Sequence, residues 1–198
     1  HFVLFKFDNE FSKFLTMFVP IVGVSVLTGI HEFVDKFLAS FLSIGSISYL
    51  NYAFRLTSIF DSILIVGIGI ILLPLLSGNI LDKKPQEFSR NYSFTIKTLL
   101  LLLTPIFVFS FLFSAEIIQL IYERGQFTAE STKIVSLVFL CYCPLILFQP
   151  LQAVLVRVFH SFENSITPLK INMIGVGINV ILSVSLGKIY GIIGIALS

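Results

Sequence analysis

Residues 14–30 read Phe-Leu-Thr-Met-Phe-Val-Pro-Ile-Val-Gly-Val-Ser-Val-Leu-Thr-Gly-Ile, without one charged side chain. Such a stretch must either be buried on every side in a large core or be solvated by lipid. Composition decides between the two. Of 198 residues, 56% are hydrophobic, 12% are charged and 22 are Phe, and the mean hydropathy is +0.98. A soluble domain carries roughly a quarter charged residues, and a chain of this size has no core large enough to hide so much apolar surface. Disorder, collagen and disulfide scaffolds are excluded with it. The expected class is all-α, a polytopic bundle of transmembrane helices.

A spanning helix needs roughly 20 mostly apolar residues. On that basis the spans are expected at 14–42, 47–76, 92–113, 128–159 and 169–186, with a truncated sixth at 192–198. Gly45 and Ser46 turn the chain after the first span, and Pro74 and Gly78 close the second. The sustained polar run, with Asp82, Lys83, Lys84, Glu87 and Arg90, makes 77–91 an aqueous loop. Residues 115–124 set Ile117, Ile118, Leu120 and Ile121 beside Glu116 and Glu123, which suits a short amphipathic helix at the membrane surface, ended by Gly125. Thr128 is the expected N-cap of the fourth span, which Pro144 and Pro150 should kink. Gly187–Gly191 is the turn before the sixth.

Short cytoplasmic loops collect Lys and Arg. With residue 1 on the cytoplasmic side, Lys6, Lys13, Lys83, Lys84, Arg90, Lys97, Arg157 and Lys170 fall inside and Arg124, Lys133 and Lys188 outside, while Lys36 and Arg55 fall within spans or close to their outer ends. The opposite orientation would reverse that excess. The cytoplasmic loop is therefore 77–91. Because His1 stands at the start and Ser198 inside an apolar stretch, the sequence is expected to be a piece of a longer membrane protein.

Several chemistries find no support. A net charge of +2, dispersed along the chain, does not suit nucleic acid. Cys141 and Cys143 read as buried free thiols, since no His or second Cys pair completes a metal site. Gly67-x-Gly69 and Gly175-x-Gly177 lie in apolar runs with no preceding strand, so they read as close helix packing, as does Ser25-x-x-x-Gly29. No catalytic constellation and no cofactor motif is present, so no enzyme is expected.

The informative residues are the polar ones inside the spans. Ser48, Asn51, Arg55, Ser58 and Ser62 recur at spacings of three and four, with Tyr52 beside them, and therefore share one helix face. Arginine at mid-bilayer costs about 2.5 to 3.5 kcal/mol even on insertion scales, so it needs a water-filled cavity, an acid or an anionic ligand. Guanidinium suits phosphate, which its planar fork matches. The alternatives are an acid on another helix or snorkelling to the surface. Asp61 is not that acid, because six residues rotate it about 120° around a regular helix. Glu32 and Lys36 form an i,i+4 pair at a solvated helix end, while His31 and Asp35 share another face. On the fifth span, Asn172, Gly175, Asn179 and Ser183 form a second stripe; Asn179 and Ser183 offer oxygens that could join Asp35 around a monovalent cation or a proton. Ordinary interhelical hydrogen bonding is the competing account. Gln149 and Gln152 read as packing groups or as a cavity lining.

Val34-Asp35-Lys36-Phe37-Leu38-Ala39-Ser40-Phe41-Leu42, Gly45-Ser46-Ile47-Ser48-Tyr49-Leu50-Asn51-Tyr52-Ala53-Phe54-Arg55-Leu56, Leu73-Pro74-Leu75-Leu76-Ser77, Glu123-Arg124-Gly125-Gln126-Phe127-Thr128-Ala129 and Thr167-Pro168-Leu169-Lys170-Ile171 follow one another in this order. Together they resemble the MurJ (MviN) family of lipid II flippases, in the MATE-like flippase superfamily. The resemblance implies a fragment corresponding to helices 7 to 12, one lobe of a two-lobe transporter, multi-pass in the bacterial inner membrane. It also implies lipid II as substrate, membrane lipids and cell-wall synthesis proteins as partners, and a role in peptidoglycan synthesis and cell shape. Arg55 falls on the family's cavity-lining arginine. Phe54 and Asp61 depart from the family pattern, which often has a polar residue and a proline there. Transport would run by alternating access, with membrane potential, sodium or protons driving the cycle rather than a bound cofactor. A sister transporter for lipid-linked oligosaccharides or drugs, and a non-transporting scaffold of cell-wall synthesis, are the rival readings.

Overall fold

The computed structural model describes residues 9–59, 62 and 85–198. Asp61, the Gly67-x-Gly69 pair, Leu73–Ser77 and residues 77–84 of the expected loop lie outside the described residues. In chain order the elements are α1 (Asn9–Ser40), α2 (46–59), α3 (Pro85–Leu112), α4 (Ser114–Tyr122), α5 (Ala129–Tyr142), α6 (Leu145–Ser161), α7 (Ile166–Tyr190) and α8 (Ile192–Ala196). Among the described residues, Phe18–Ser40, Pro85–Leu112, Ala129–Ser161 and Ile166–Tyr190 are helical, long and apolar enough to cross a membrane.

Local chemistry sets the element ends, and several differ from expectation. α1 stops at Ser40 rather than Leu42, because Phe41 and Leu42 close a tight turn on the Leu38 and Ala39 carbonyls. Gly45, at φ +94, turns the chain and Ser46 already belongs to α2. α3 begins at Pro85, inside the stretch expected to be loop. Proline lacks an N–H that the first helical turn would leave unpaired, and Glu87 lies against the positive end of the helix. Thr128 caps α5, its hydroxyl accepting the Ser131 N–H at 3.4 Å. The break after α5 falls at Cys143–Pro144, whereas Pro150 sits buried within an unbroken α6. α7 continues through Gly187 to Tyr190, so the expected five-residue turn narrows to Gly191 at φ +61.

α1 lies along α7, and two contacts fix their sense. A Cβ built on Gly23 would come within 2.9 Å of Leu169 Cδ1, and Ser183 Oγ meets Asp35 further along both helices. The two helices therefore run parallel. α8 turns back on α7, so tightly that a Cβ at Gly194 would run into the Leu186 carbonyl, and it also touches α5 and α1. One core gathers Ala39, Leu50, Ala53, Leu56, Ile118, Val138, Phe139 and Ile195 from five elements. A second joins α3 to α6 through Leu99, Leu103, Ile146 and Val154. The close-packing reading of the other small residues does not hold among the described atoms: a Cβ at Gly29, Gly175 or Gly177 would meet nothing within 4 Å. Outside the cores the surface is strongly apolar, with Phe33 68% and Phe37 52% exposed on one face of α1. That surface is a liability in water and ordinary in lipid.

Candidate functional site

α2 separates its residues by side. Leu50, Ala53, Leu56 and Thr57 are buried, while Ser48, Tyr52, Arg55 and Ser62 are exposed and Asn51 and Ser58 half-buried. The polar face read from the spacing thus points away from the core. Among the described residues no carboxylate lies within ion-pair distance of Arg55. Ser58 and Ser62 spend their hydroxyl protons on the Phe54 and Ser58 carbonyls, each at 2.8 Å. In this arrangement they offer lone pairs, not protons, so anion donation on this face rests on Arg55, Asn51 and Ser48.

An aromatic cluster, absent from the sequence reading, flanks Arg55. Tyr52 meets Tyr122 at 4.9 Å and Phe127 edge-on at 5.3 Å between ring centroids, and the Tyr122 hydroxyl donates to the Tyr52 carbonyl at 3.3 Å. Burial pushes the Tyr122 phenol above its ordinary value, and the Arg55 charge pulls it partly back. α4 is held to α5 at the same end, where Thr132 Oγ1 donates to the Glu123 carboxylate at 2.6 Å. Tyr122 and Phe127 lie some 70 residues from α2 in sequence, and their only sequence signal is their place beside the Glu-Arg-Gly turn.

The second group of residues converges from three helices. Ser183 Oγ on α7 donates to Asp35 Oδ1 on α1 at 2.9 Å. Ser183 and Ser198 hydroxyls are 2.6 Å apart, Ser198 Oγ reaches the Ile195 carbonyl at 2.7 Å, and Asn179 Nδ2 donates to Ser198 Oγ at 3.3 Å. Asn179 Oδ1 is buried without a partner among the described residues. His31 Nδ1 stands 3.7 Å from Asp35 Oδ2. The proton count is short: with Asp35 ionised, two hydroxyl protons must serve three oxygen–oxygen contacts. A proton on Asp35 or a cation among these oxygens removes the deficit. One carboxylate with hydroxyl, amide and carbonyl oxygens is a hard-ligand set, suited to a small monovalent cation and not to zinc.

Asn172 does not join this group, because its Nδ2 bonds the Pro168 carbonyl at 2.9 Å. Ser198 and Ile195 were missed by the sequence reading, since one hydroxyl at the end of an apolar run carries no signal. Glu32 and Lys36 pair at 3.2 Å on the exposed side of α1. Gln152 is exposed, whereas Gln149 is half-buried, its Oε1 unpartnered among the described residues. Cys143 is buried, Cys141 half-buried, and both are free.

The family model described as lipid II flippase MurJ matches residues 2–198. A probable lipid II flippase MurJ of Vibrio cholerae is 28% identical over 96% of this chain and 36% of its own length. One from Aquifex aeolicus is 33% identical over 84% of this chain and 32% of its own length. A solved structure titled lipid II flippase MurJ, inward closed conformation, superposes with a TM-score of 0.81 at 30% identity, covering 98% of this chain and 41% of that one. The chain therefore spans well under half the length of the proteins it matches. With the family match running almost end to end and the fold shared, this chain belongs to the lipid II flippase MurJ family.

Proposed function

We propose that this chain contributes one lobe of a flippase that carries lipid II from the cytoplasmic to the outer leaflet of the bacterial inner membrane, for peptidoglycan synthesis. The observation that carries the reading is Arg55: a permanent cation on the exposed polar face of a membrane helix, with no carboxylate partner among the described residues. A guanidinium so placed recognises the pyrophosphate of the lipid-linked precursor. Asn51 and Ser48 add donors, Tyr52 adds a ring edge, and Ser58 and Ser62 contribute acceptors. The lobes then rock around the bound head group while the lipid tail stays in the membrane.

The cycle is reset by a cation gradient, sodium or protons, or by the membrane potential, acting on Asp35, Asn179 and Ser183. The shortage of protons in that cluster supports this part of the reading. Lipid II and membrane lipids are the partners this requires, and cell-wall synthesis proteins are natural neighbours. Substituting Arg55→Ala in the full-length protein should abolish complementation of a flippase-depleted strain while leaving membrane insertion intact. Full complementation by that variant removes Arg55 from the mechanism. A sister transporter for other lipid-linked oligosaccharides would instead retain translocation when lipid II is replaced by a different pyrophosphate-linked head group.

A further inference from the structure

Tyr52 precedes Arg55 by three residues, so its ring stands on the same face of α2, roughly 4.5 Å nearer the start of the helix. Two other rings hold it there. Tyr122 meets it at 4.9 Å with the planes 57° apart, and Phe127 at 5.3 Å with the planes 89° apart. Those two lie 5.8 Å from each other and pack, partly buried, against the core that includes Leu50, Ala53 and Phe139. The Tyr122 hydroxyl closes the group by donating to the Tyr52 carbonyl at 3.3 Å. Neither neighbour lies flat on the Tyr52 ring, and 37% of the residue stays exposed.

A ring fixed by its neighbours yet partly open is a preformed surface, and a ligand that covers it needs little further ordering of the protein. Its negative π face attracts slightly positive C–H groups. A pyranose ring offers such C–H groups on one face and hydroxyls around its rim. Arg55 supplies the neighbouring contact. In a lipid-linked sugar pyrophosphate the pyranose is joined to the phosphate through one oxygen, so a sugar on Tyr52 and a pyrophosphate on Arg55 lie about one helical turn apart, as the two side chains do. Aromatic residues kept only as bilayer anchors face lipid at the membrane surface. Tyr52 instead shares its exposed face with Ser48 and Arg55.

We propose that Tyr52, held in place by Tyr122 and Phe127, is a sugar subsite on the Arg55 face, where the pyranose next to the pyrophosphate stacks. The inference rests on the pyrophosphate role proposed for Arg55 and adds to it selection of a glycosylated pyrophosphate over a bare one. Tyr122 and Phe127 are positioning residues that act through Tyr52. The affinity ratio between ligands with and without the sugar isolates this contribution, because the lipid and pyrophosphate contacts are common to both.

The test uses the full-length flippase in nanodiscs, titrated with purified lipid II and with a polyprenyl pyrophosphate of the same chain length that carries no sugar. The wild type is expected to prefer lipid II. Tyr52→Leu should cut that preference by about two- to tenfold, the range of one aromatic contact, and Tyr52→Phe, which keeps the ring, should retain it. Phe127→Leu, which removes one support of the ring, should cut it in the same direction by less. Arg55→Ala should weaken both ligands. A merely structural tyrosine or a bilayer anchor would lower thermal stability or both affinities alike and leave the preference in place. An unchanged preference in Tyr52→Leu overturns the sugar subsite while the reading of Arg55 stands, and so does an equal loss of preference in Tyr52→Phe and Tyr52→Leu. Unchanged affinity for both ligands in Arg55→Ala overturns the reading of Arg55 and the subsite with it.

Discussion

Asp35 keeps 16% of its side chain exposed within a helix otherwise made for lipid. Its carboxylate oxygens take a serine hydroxyl on one side and face an imidazole on the other. A structural aspartate in this position would be satisfied once Ser183 donated to it, yet with Ser198 donating to the Ile195 carbonyl the Ser183–Ser198 contact is left without a proton, and Asn179 Oδ1 has no partner among the described residues. Asp35→Asn keeps the shape and supplies two amide protons, so the cluster becomes self-sufficient without a cation. Transport by that variant should lose its dependence on sodium or proton gradient, and Ser183→Ala should weaken sodium binding about 10- to 100-fold, as loss of a partner to a metal ligand typically does. Unchanged ion dependence in Asp35→Asn would return the cluster to plain helix–helix hydrogen bonding. Asp35, Asn179 and Ser183 were legible as polar residues in apolar helices, which is costly enough to need a reason. That they meet, and that Ser198 completes the group, was not: one sequence carries periodicity within a helix but no information on which helices touch.

At the scale of elements, the same limit explains which small residues matter. A glycine reads identically whether its face meets a neighbour or lipid, so Gly29, Gly175 and Gly177 were assigned to close packing along with the rest. Only position in the bundle separates them from Gly23, where Leu169 fills the space a side chain would need. Gly23→Leu should force α1 from α7 and, through the parallel register of the pair, loosen Asp35 from Ser183. Overpacking of this kind costs about 1–3 kcal/mol, read as a lowered unfolding temperature of the full-length protein together with weakened sodium binding. Gly29→Leu, placed two turns nearer Asp35 on the same helix but facing no neighbour among the described residues, should change neither. Equal losses from both would mean that Gly29 packs against a part of the protein beyond these elements. The amphipathic stretch before Gly125 shows the complementary case: its pattern marks a helix, but the burial of Ile118 and the Glu123–Thr132 bond make α4 a packed part of the lobe.

At the scale of the whole molecule, the parallel run of α1 and α7 bears on orientation. Lys170, near the start of α7, lies on the same side of the bundle as the start of α1, and Lys188, near the end of α7, lies with the end of α1. α3 runs from the Arg90 end, and the α5–α6 pair runs from the Arg124 turn towards Arg157. With the start of α1 in the cytoplasm, Arg90, Arg157 and Lys170 all come to the inner face, where the positive-inside rule wants them. The opposite orientation would put the denser basic set outside. Single cysteines report the difference, in a background with Cys141 and Cys143 replaced. Gln126, exposed in the turn before α5, should react with a membrane-impermeant maleimide added to intact spheroplasts, whereas Gln86, exposed in the first turn of α3, should react only after the membrane is opened. Labelling of Gln86→Cys from outside, with Gln126→Cys protected, would invert the lobe and require the direction of loading proposed for Arg55 to be assigned afresh.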